Sequence, residues 1–169
     1  MIKLPADAKK IIIQETITNM IVNAVLATII TWLVFRGKQD VPLIGGPESG
    51  AFGIVPGTFL FTAAITIALS LIMRRRISRG NVALLPMGSM PVIRRFLPEH
   101  ILLRGLALGA AIWVVLVPLT LTLLSTMLAD RVSFSTLLIF YIVYFVILAA
   151  IIVPVIVLRS LLPTSIAVD

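Results

Sequence analysis

Three polar residues recur at four-residue intervals in the first apolar run of the sequence. Glu15, Asn19 and Asn23 would lie on one face of a helix, because residues four apart are neighbours on a helix surface. The second apolar run has a similar series of small hydroxyl side chains: Thr58, Thr62, Thr66 and Ser70. Such residues in a membrane helix either line an ion or proton path or hold helices together. The candidate intramembrane polar face consists of Glu15, Asn19, Asn23, Thr62 and Thr66.

A second group that could do chemistry precedes and enters the third apolar run. Glu99 and His100 are adjacent in the sequence, and Arg104 shares a helix face with His100 at four-residue spacing. This group could handle protons or bind an anion, and Glu15 is a possible companion. Alternatively, its members are solvated side chains at the level of the lipid headgroups. We treat Glu99, His100 and Arg104 as a candidate cluster and leave both interpretations open.

The sequence has none of the familiar catalytic constellations. It contains no cysteine and one histidine, which excludes thiol chemistry and a multi-histidine metal site within one chain. No metalloprotease motif, phosphate-loop motif or closely spaced acid pair is present. We therefore expect no enzymatic activity, no catalytic residues, no cofactor and no bound metal.

Composition assigns the chain to the membrane. Hydrophobic residues make up 60% of its 169 residues, charged residues only 12%, and the mean hydropathy is +1.15. The net charge of +7 could suggest nucleic acid, but the basic residues lie beside apolar runs, as in membrane proteins. We therefore expect membrane lipids as partners, and no nucleic acid.

The apolar runs predict an all-α, polytopic fold of four transmembrane helices in one compact bundle. A bilayer core of about 30 Å requires roughly 20 helical residues, and each run is long enough. We treat residues 1–169 as a single transmembrane domain. The predicted helices span 11–35, 54–73, 98–128 and 134–158; an outer loop spans 36–53, a basic loop 74–97 and a short outer turn 129–133.

The distribution of Lys and Arg predicts the orientation. If the basic loop is cytoplasmic, both termini are also cytoplasmic, and eleven basic residues lie inside against three outside. This asymmetry satisfies the positive-inside rule. We therefore expect a multi-pass protein of a bacterial-type inner membrane. The aromatic residues concentrate in the predicted outer half, which is typical of an interfacial belt and also leaves open a lipid, quinone or pigment contact.

The basic loop contains six arginines and no acid. Each could gain on the order of 1 kcal/mol from an anionic leaflet, so we expect the loop to contact anionic headgroups. Its apolar middle, residues 82–85, would then dip into the membrane interface. The candidate anionic-lipid contacts are Arg74, Arg75, Arg76, Arg79, Arg94 and Arg95.

Small residues in the third run predict close helix packing. Gly105 and Gly109 are four apart, and Ala107 and Ala111 form a second small-residue series beside them. The partner helix could belong to the same chain or to another subunit. We expect an accessory or structural subunit of a larger membrane complex, or a homo-oligomer held by helix packing. The alternative is a small transporter or channel whose path is lined by the first two helices.

Overall fold

The computed structural model describes residues 4–86, 97–127 and 130–163. Its four helices are α1 (Ala6–Phe35), α2 (Gly50–Ser78), α3 (Ile101–Met127) and α4 (Phe134–Leu161). Helix accounts for 77% of the structure, and each helix is long and apolar enough to cross a membrane. The predicted all-α class, with four helices long and apolar enough to span a membrane, is confirmed.

α1 and α2 extend beyond their predicted limits, and for α2 the reasons are local. α2 begins at Gly50 rather than 54, because the Ser49 hydroxyl caps it by accepting the Phe52 N–H at 3.3 Å. α2 also continues past 73 to Ser78, since the arginines that follow are good helix formers. It ends where Gly80 takes a φ of +73°, the left-handed conformation that commonly terminates helices. α1 begins at Ala6 rather than 11.

α3 and α4 differ from their predicted limits at the ends that lie away from the turn connecting them. α3 begins at Ile101 and not at 98, so Pro98 and Glu99 precede the helix instead of forming its first turn. α4 begins at Phe134 as predicted, with the Ser133 hydroxyl accepting the Thr136 N–H. It continues to Leu161 rather than 158, which brings Arg159 into the helix.

Two short strands, which the sequence analysis did not predict, join the connections at one end of the bundle. β1 (Asp40–Pro42) and β2 (Arg131–Ser133) pair antiparallel, with Val41 opposite Val132. Both valines are buried and both strands contact α4. We call this the loop end; it comprises residues 36–49 and 130–133. The other end, called the basic end, comprises the N-terminal turns of α1, residues 74–86, residues 97–104 and residues 159–163.

α2 and α4 form the centre of the bundle, and α1 and α3 flank it. α1 packs against α4, α4 against α2, and α2 against α3. In the most apolar window of α1 and of α3 only 17% of residues are buried, against 39% in α2 and 44% in α4. The exposed side chains of the flanking helices are largely Ile, Leu and Val, as expected for surfaces that face lipid hydrocarbon.

Candidate functional site

A cavity of about 780 Å³ opens at the basic end. Its walls come from the end of α2, the segment that leads into α3, the start of α3 and the end of α4. All three members of the predicted Glu99, His100 and Arg104 cluster line it. The remaining lining residues are Ser70, Arg74, Ile77, Leu84, Ile101, Arg159, Ser160, Leu162 and Pro163.

Arg104 is buried and fixed by three hydrogen bonds. Its Nε donates to the Pro98 carbonyl at 3.1 Å, and its Nη2 donates to the Glu99 carbonyl at 3.0 Å. The third bond runs from Nη1 to the Ser70 hydroxyl of α2 at 3.4 Å. Because Pro98 and Glu99 precede the helix, their carbonyls point to a side-chain donor instead of entering a helical ladder. Arg104 therefore ties the lead-in of α3 to α2.

Arg159 approaches the same lead-in from α4. Only 1% of this residue is exposed. Its Nε donates to the Leu97 carbonyl at 3.2 Å, and its Nη2 lies 3.9 Å from the Glu99 carboxylate. Two buried guanidinium groups thus hold consecutive carbonyls of residues 97–99 from two different helices. These hydrogen bonds from α3 and α4 position Glu99 and His100 at the cavity.

The exposed rim of the cavity adds positive charge. Arg74, in the last turns of α2, and His100 are both exposed and line the opening. Among the described lining residues three are arginines and one is an acid, so the cavity carries a surplus of positive charge at neutral pH. An arrangement of this kind can bind an anion through several charge-assisted hydrogen bonds.

Glu15 pairs with Arg76 and not with Arg104. Its Oε1 lies 2.5 Å from Arg76 Nη1, which joins α1 to the end of α2. Glu15 therefore does not line the cavity with Glu99, His100 and Arg104, the cluster for which the sequence made it a possible companion. The reason is the length of α2, because its extension to Ser78 carries Arg76 to the level of Glu15 while Arg104 is engaged by the α3 lead-in.

The two asparagines do not bond to α2. Asn19 donates to the Glu15 carbonyl of its own helix at 2.8 Å. Asn23 is 1% exposed, and its Nδ2 has no hydrogen-bond partner among the described residues; the same holds for the Thr31 hydroxyl. The buried face of α1 packs against α4, so the structure does not bring the α1 and α2 series together into one polar face.

The hydroxyl series of α2 is buried and mostly satisfied locally. Thr66 donates to the Thr62 carbonyl, whereas the Thr62 hydroxyl itself has no partner among the described residues. Thr58 contacts the Tyr144 hydroxyl of α4 at 2.7 Å. Several of the predicted outer aromatics pack on one another around this point, including Phe61 against Phe145 at 4.7 Å between ring centroids.

The predicted lipid-contact arginines divide into three groups. Arg74 lines the cavity and Arg76 pairs with Glu15, while Arg75 and Arg79 are exposed at the end of α2. Arg94 and Arg95 lie outside the described residues. The apolar middle of the loop differs from expectation: Val82 and Leu85 are buried in protein, and the Leu85 N–H donates to the Leu161 carbonyl at 2.9 Å. Leu84 remains exposed at the cavity.

The two glycines of α3 lie against α2 of the same chain. A Cβ at Gly105 would come within 2.9 Å of Ile67 and 3.1 Å of the Ala63 carbonyl. A Cβ at Gly109 would lie 3.2 Å from the Phe59 carbonyl. Both positions therefore need glycine for the close approach of the two backbones.

Sequence reasoning missed Arg159 as a site residue. The predicted end of the fourth helix at 158 placed it just outside the membrane, where an arginine needs no explanation. A signal was present: Arg159 is the one charged residue between Arg131 and Asp169. Ser70 and Arg74 were each assigned to a different feature, and only the fold brings them together.

The polar side chains that line the cavity are mainly cationic groups and hydroxyls. No group of three His, Cys, Asp or Glu side chains that could hold a metal ion occurs among the described residues. Comparison with known proteins gives no further guide: the chain matches no protein-family model, and no curated protein or solved structure shows significant similarity to it.

Proposed function

We propose that this protein is a non-catalytic four-helix subunit that acts by packing against other membrane helices. These helices belong either to a larger membrane complex or to further copies of the chain. The observation that carries the proposal is an exposed small-residue face on α3. Ala107, Ala110 and Ala111 are exposed, although their neighbours Gly105 and Gly109 are already engaged by α2.

Small residues on an outward face favour a protein neighbour. Where a helix face carries only small side chains, a second helix can approach its backbone closely and gain van der Waals contact. Such contact is the main attraction between helices in lipid. α3 is also among the least buried helices of the bundle, with 17% of its most apolar window covered. Its outward side is therefore available to another helix.

The proposed location is a bacterial-type inner membrane, with the basic end in the cytoplasm. Among the described residues the basic end contains eight Lys and Arg residues, and the loop end and its adjoining helix termini contain three. The positive-inside rule favours this orientation. Anionic lipid headgroups and other membrane subunits are the proposed partners.

Single-cysteine crosslinking tests the packing role directly, because the chain has no native cysteine. Ala107→Cys and Ala111→Cys variants would be labelled with a benzophenone maleimide in native membranes and irradiated. We expect a discrete crosslinked band, either at twice the monomer mass or to another membrane protein identified by mass spectrometry.

The matched control is Ile151→Cys on α4. This residue is 50% exposed and lies ten positions from the end of its helix at the basic end, as Ala111 lies ten positions from the start of α3. It should give only crosslinks to lipid. Lipid adducts alone at all three positions would contradict the packing role.

A small transporter or channel is the second candidate. It is favoured by the buried polar atoms of Asn23, Thr31 and Thr62 that have no hydrogen-bond partner among the described residues, because water in a path would satisfy them. α1 packs mainly against α4 and meets α2 through the Glu15 and Arg76 pair, which weighs against a path lined by α1 and α2. A proton or ion flux in vesicles that disappears in a folded Glu15→Gln protein would favour this candidate.

A further inference from the structure

The cavity at the basic end has the chemistry of a phosphate site. We propose that it binds a phosphate group, carried by a membrane lipid headgroup or present as free phosphate, through Arg74, Arg104 and Arg159. This inference is independent of the packing role of α3, because the cavity uses the lead-in and first turn of α3 with the ends of α2 and α4, whereas the packing role uses the outward alanines of α3.

The charges that line the cavity favour an anion. Among the described residues, three guanidinium groups and one carboxylate line the cavity, and the two buried guanidinium groups bind neighbouring carbonyls of residues 97–99. Repulsion between like charges is strong where water is scarce, so an anion among them stabilises the arrangement. Arginine suits phosphate in particular, because its planar fork of N–H donors matches two phosphate oxygens.

The buried arginines are held in place before any ligand arrives. Three of the five N–H donors of Arg104 donate to the Pro98 and Glu99 carbonyls and the Ser70 hydroxyl. Two donors of its guanidinium remain for a further acceptor. Arg159 is fixed by the Leu97 carbonyl. Binding therefore requires little ordering of these side chains, which favours affinity.

Two of the basic side chains that line the cavity are exposed. Arg74 and His100 stand at the opening, where each can reach an entering ligand. The volume of about 780 Å³ lies within the range of roughly 300 to 1,000 Å³ that is usual for small-molecule sites.

The position and the remaining walls suit a lipid phosphate. The cavity lies at the ends of α2, α3 and α4, the depth at which headgroups meet transmembrane helices. Ile77, Leu84 and Leu162 form an apolar side to the same cavity. A ligand with a phosphate and an attached apolar part would use both surfaces.

The test compares two adjacent arginines in the purified full chain. Arg74 lines the cavity, whereas Arg75 is exposed on the same helix and does not. Arg74→Gln and Arg75→Gln therefore make the same change in charge, and both residues are exposed enough for the variants to fold. Binding of dioleoyl phosphatidylglycerol would be measured by native mass spectrometry, and binding of inorganic phosphate by calorimetry.

We expect Arg74→Gln to weaken binding about tenfold, as the loss of one charge-assisted hydrogen bond would. Arg75→Gln should change it by less than about twofold, as is usual for an exposed charge. If the difference between the variants is seen for the lipid and millimolar phosphate does not compete, the ligand is a headgroup. If it is seen for inorganic phosphate alone, the ligand is free phosphate.

Two outcomes would overturn the proposal. Equal losses in Arg74→Gln and Arg75→Gln would mean that the lipid responds to general surface charge and not to the cavity. Unchanged binding of both ligands in Arg74→Gln would mean that the cavity binds no phosphate.

Discussion

The two ends of the bundle are closed by different means. At the loop end the backbone closes the structure: β1 pairs with β2, the Leu43 N–H donates to the Asp130 carbonyl at 2.9 Å, and the Phe134 N–H donates to the Gln39 carbonyl at 3.1 Å. At the basic end two buried arginine side chains hold the carbonyls of residues 97–99. The backbone hydrogen bonds at the loop end add no charge. The arginine side chains at the basic end instead line a cavity that carries a surplus of positive charge among the described residues.

Charged side chains differ between the ends in the same way. At the loop end Lys38 lies 2.9 Å from Glu48, and this exposed pair lowers the pKa of the Glu48 carboxyl below its ordinary value. At the basic end each of these ion pairs has one buried member. It is Glu15 in the pair with Arg76, and Arg159 in the pair with Glu99. This difference is the reason that the proposed phosphate site is assigned to the basic end and not to the loop end.

The largest expected effect concerns the packing beside the loop end. A Cβ at Gly53 would overlap the hydroxyl of Tyr141, which donates to the Gly50 carbonyl at 2.5 Å. Gly53→Ala should therefore lower the free energy of unfolding by about 1 to 3 kcal/mol, as overpacking usually does. Detergent-induced unfolding followed by aromatic circular dichroism would measure it.

Gly57→Ala is the matched control for that substitution. Gly57 lies one turn further along α2, where a Cβ would make an ordinary 3.4 Å contact with Phe145. This variant should be neutral or more stable by up to about 1 kcal/mol, because alanine favours helix over glycine. Equal behaviour of the two variants would show that the α2 to α4 packing near the loop end is looser than described.

A smaller effect is expected for the ion pair at the basic end. A double-mutant cycle with Glu15→Gln and Arg76→Gln should give a coupling of about 1 to 2 kcal/mol, between the values for buried and exposed pairs. The intermediate value follows because the Glu15 side chain is 7% exposed and the Arg76 side chain 41%. Removing Arg76 should cost more than removing the Glu15 charge, since it leaves the carboxylate buried alone.

The exposed Lys38 and Glu48 pair provides the comparison for this cycle. Lys38→Gln and Glu48→Gln should show no measurable coupling, because the Glu48 side chain is 79% exposed. A coupling at the loop end as large as that between Glu15 and Arg76 would remove the energetic distinction between the two ends.

The four membrane-spanning helices could be predicted because they depend on composition and length. The apolar runs are long and are separated by residues that break helices, so even the start of α4 at Phe134 was predicted correctly. The pairing of Gly105 and Gly109 with α2 could be half predicted: the spacing indicated close packing but not the partner.

The neighbours within the bundle could not be predicted from spacing. Glu15 and Arg76 are 61 residues apart, and their meeting depends on five further residues of α2 beyond the predicted end at 73. Similarly, Arg159 joins the cavity only because α4 runs to Leu161. A shift of one turn in a helix end is small in the sequence, but it moves a charged side chain by about 5 Å.

The most direct test of the account asks on which side of the membrane each end lies. Gly46→Cys reports on the loop end, where a Cβ meets no other atom within 4 Å, and Asn81→Cys reports on the exposed part of the basic end. A membrane-impermeant maleimide added to intact spheroplasts should label Gly46→Cys at once and Asn81→Cys only after lysis. Labelling of Asn81→Cys in intact spheroplasts, with Gly46→Cys protected, would contradict the account.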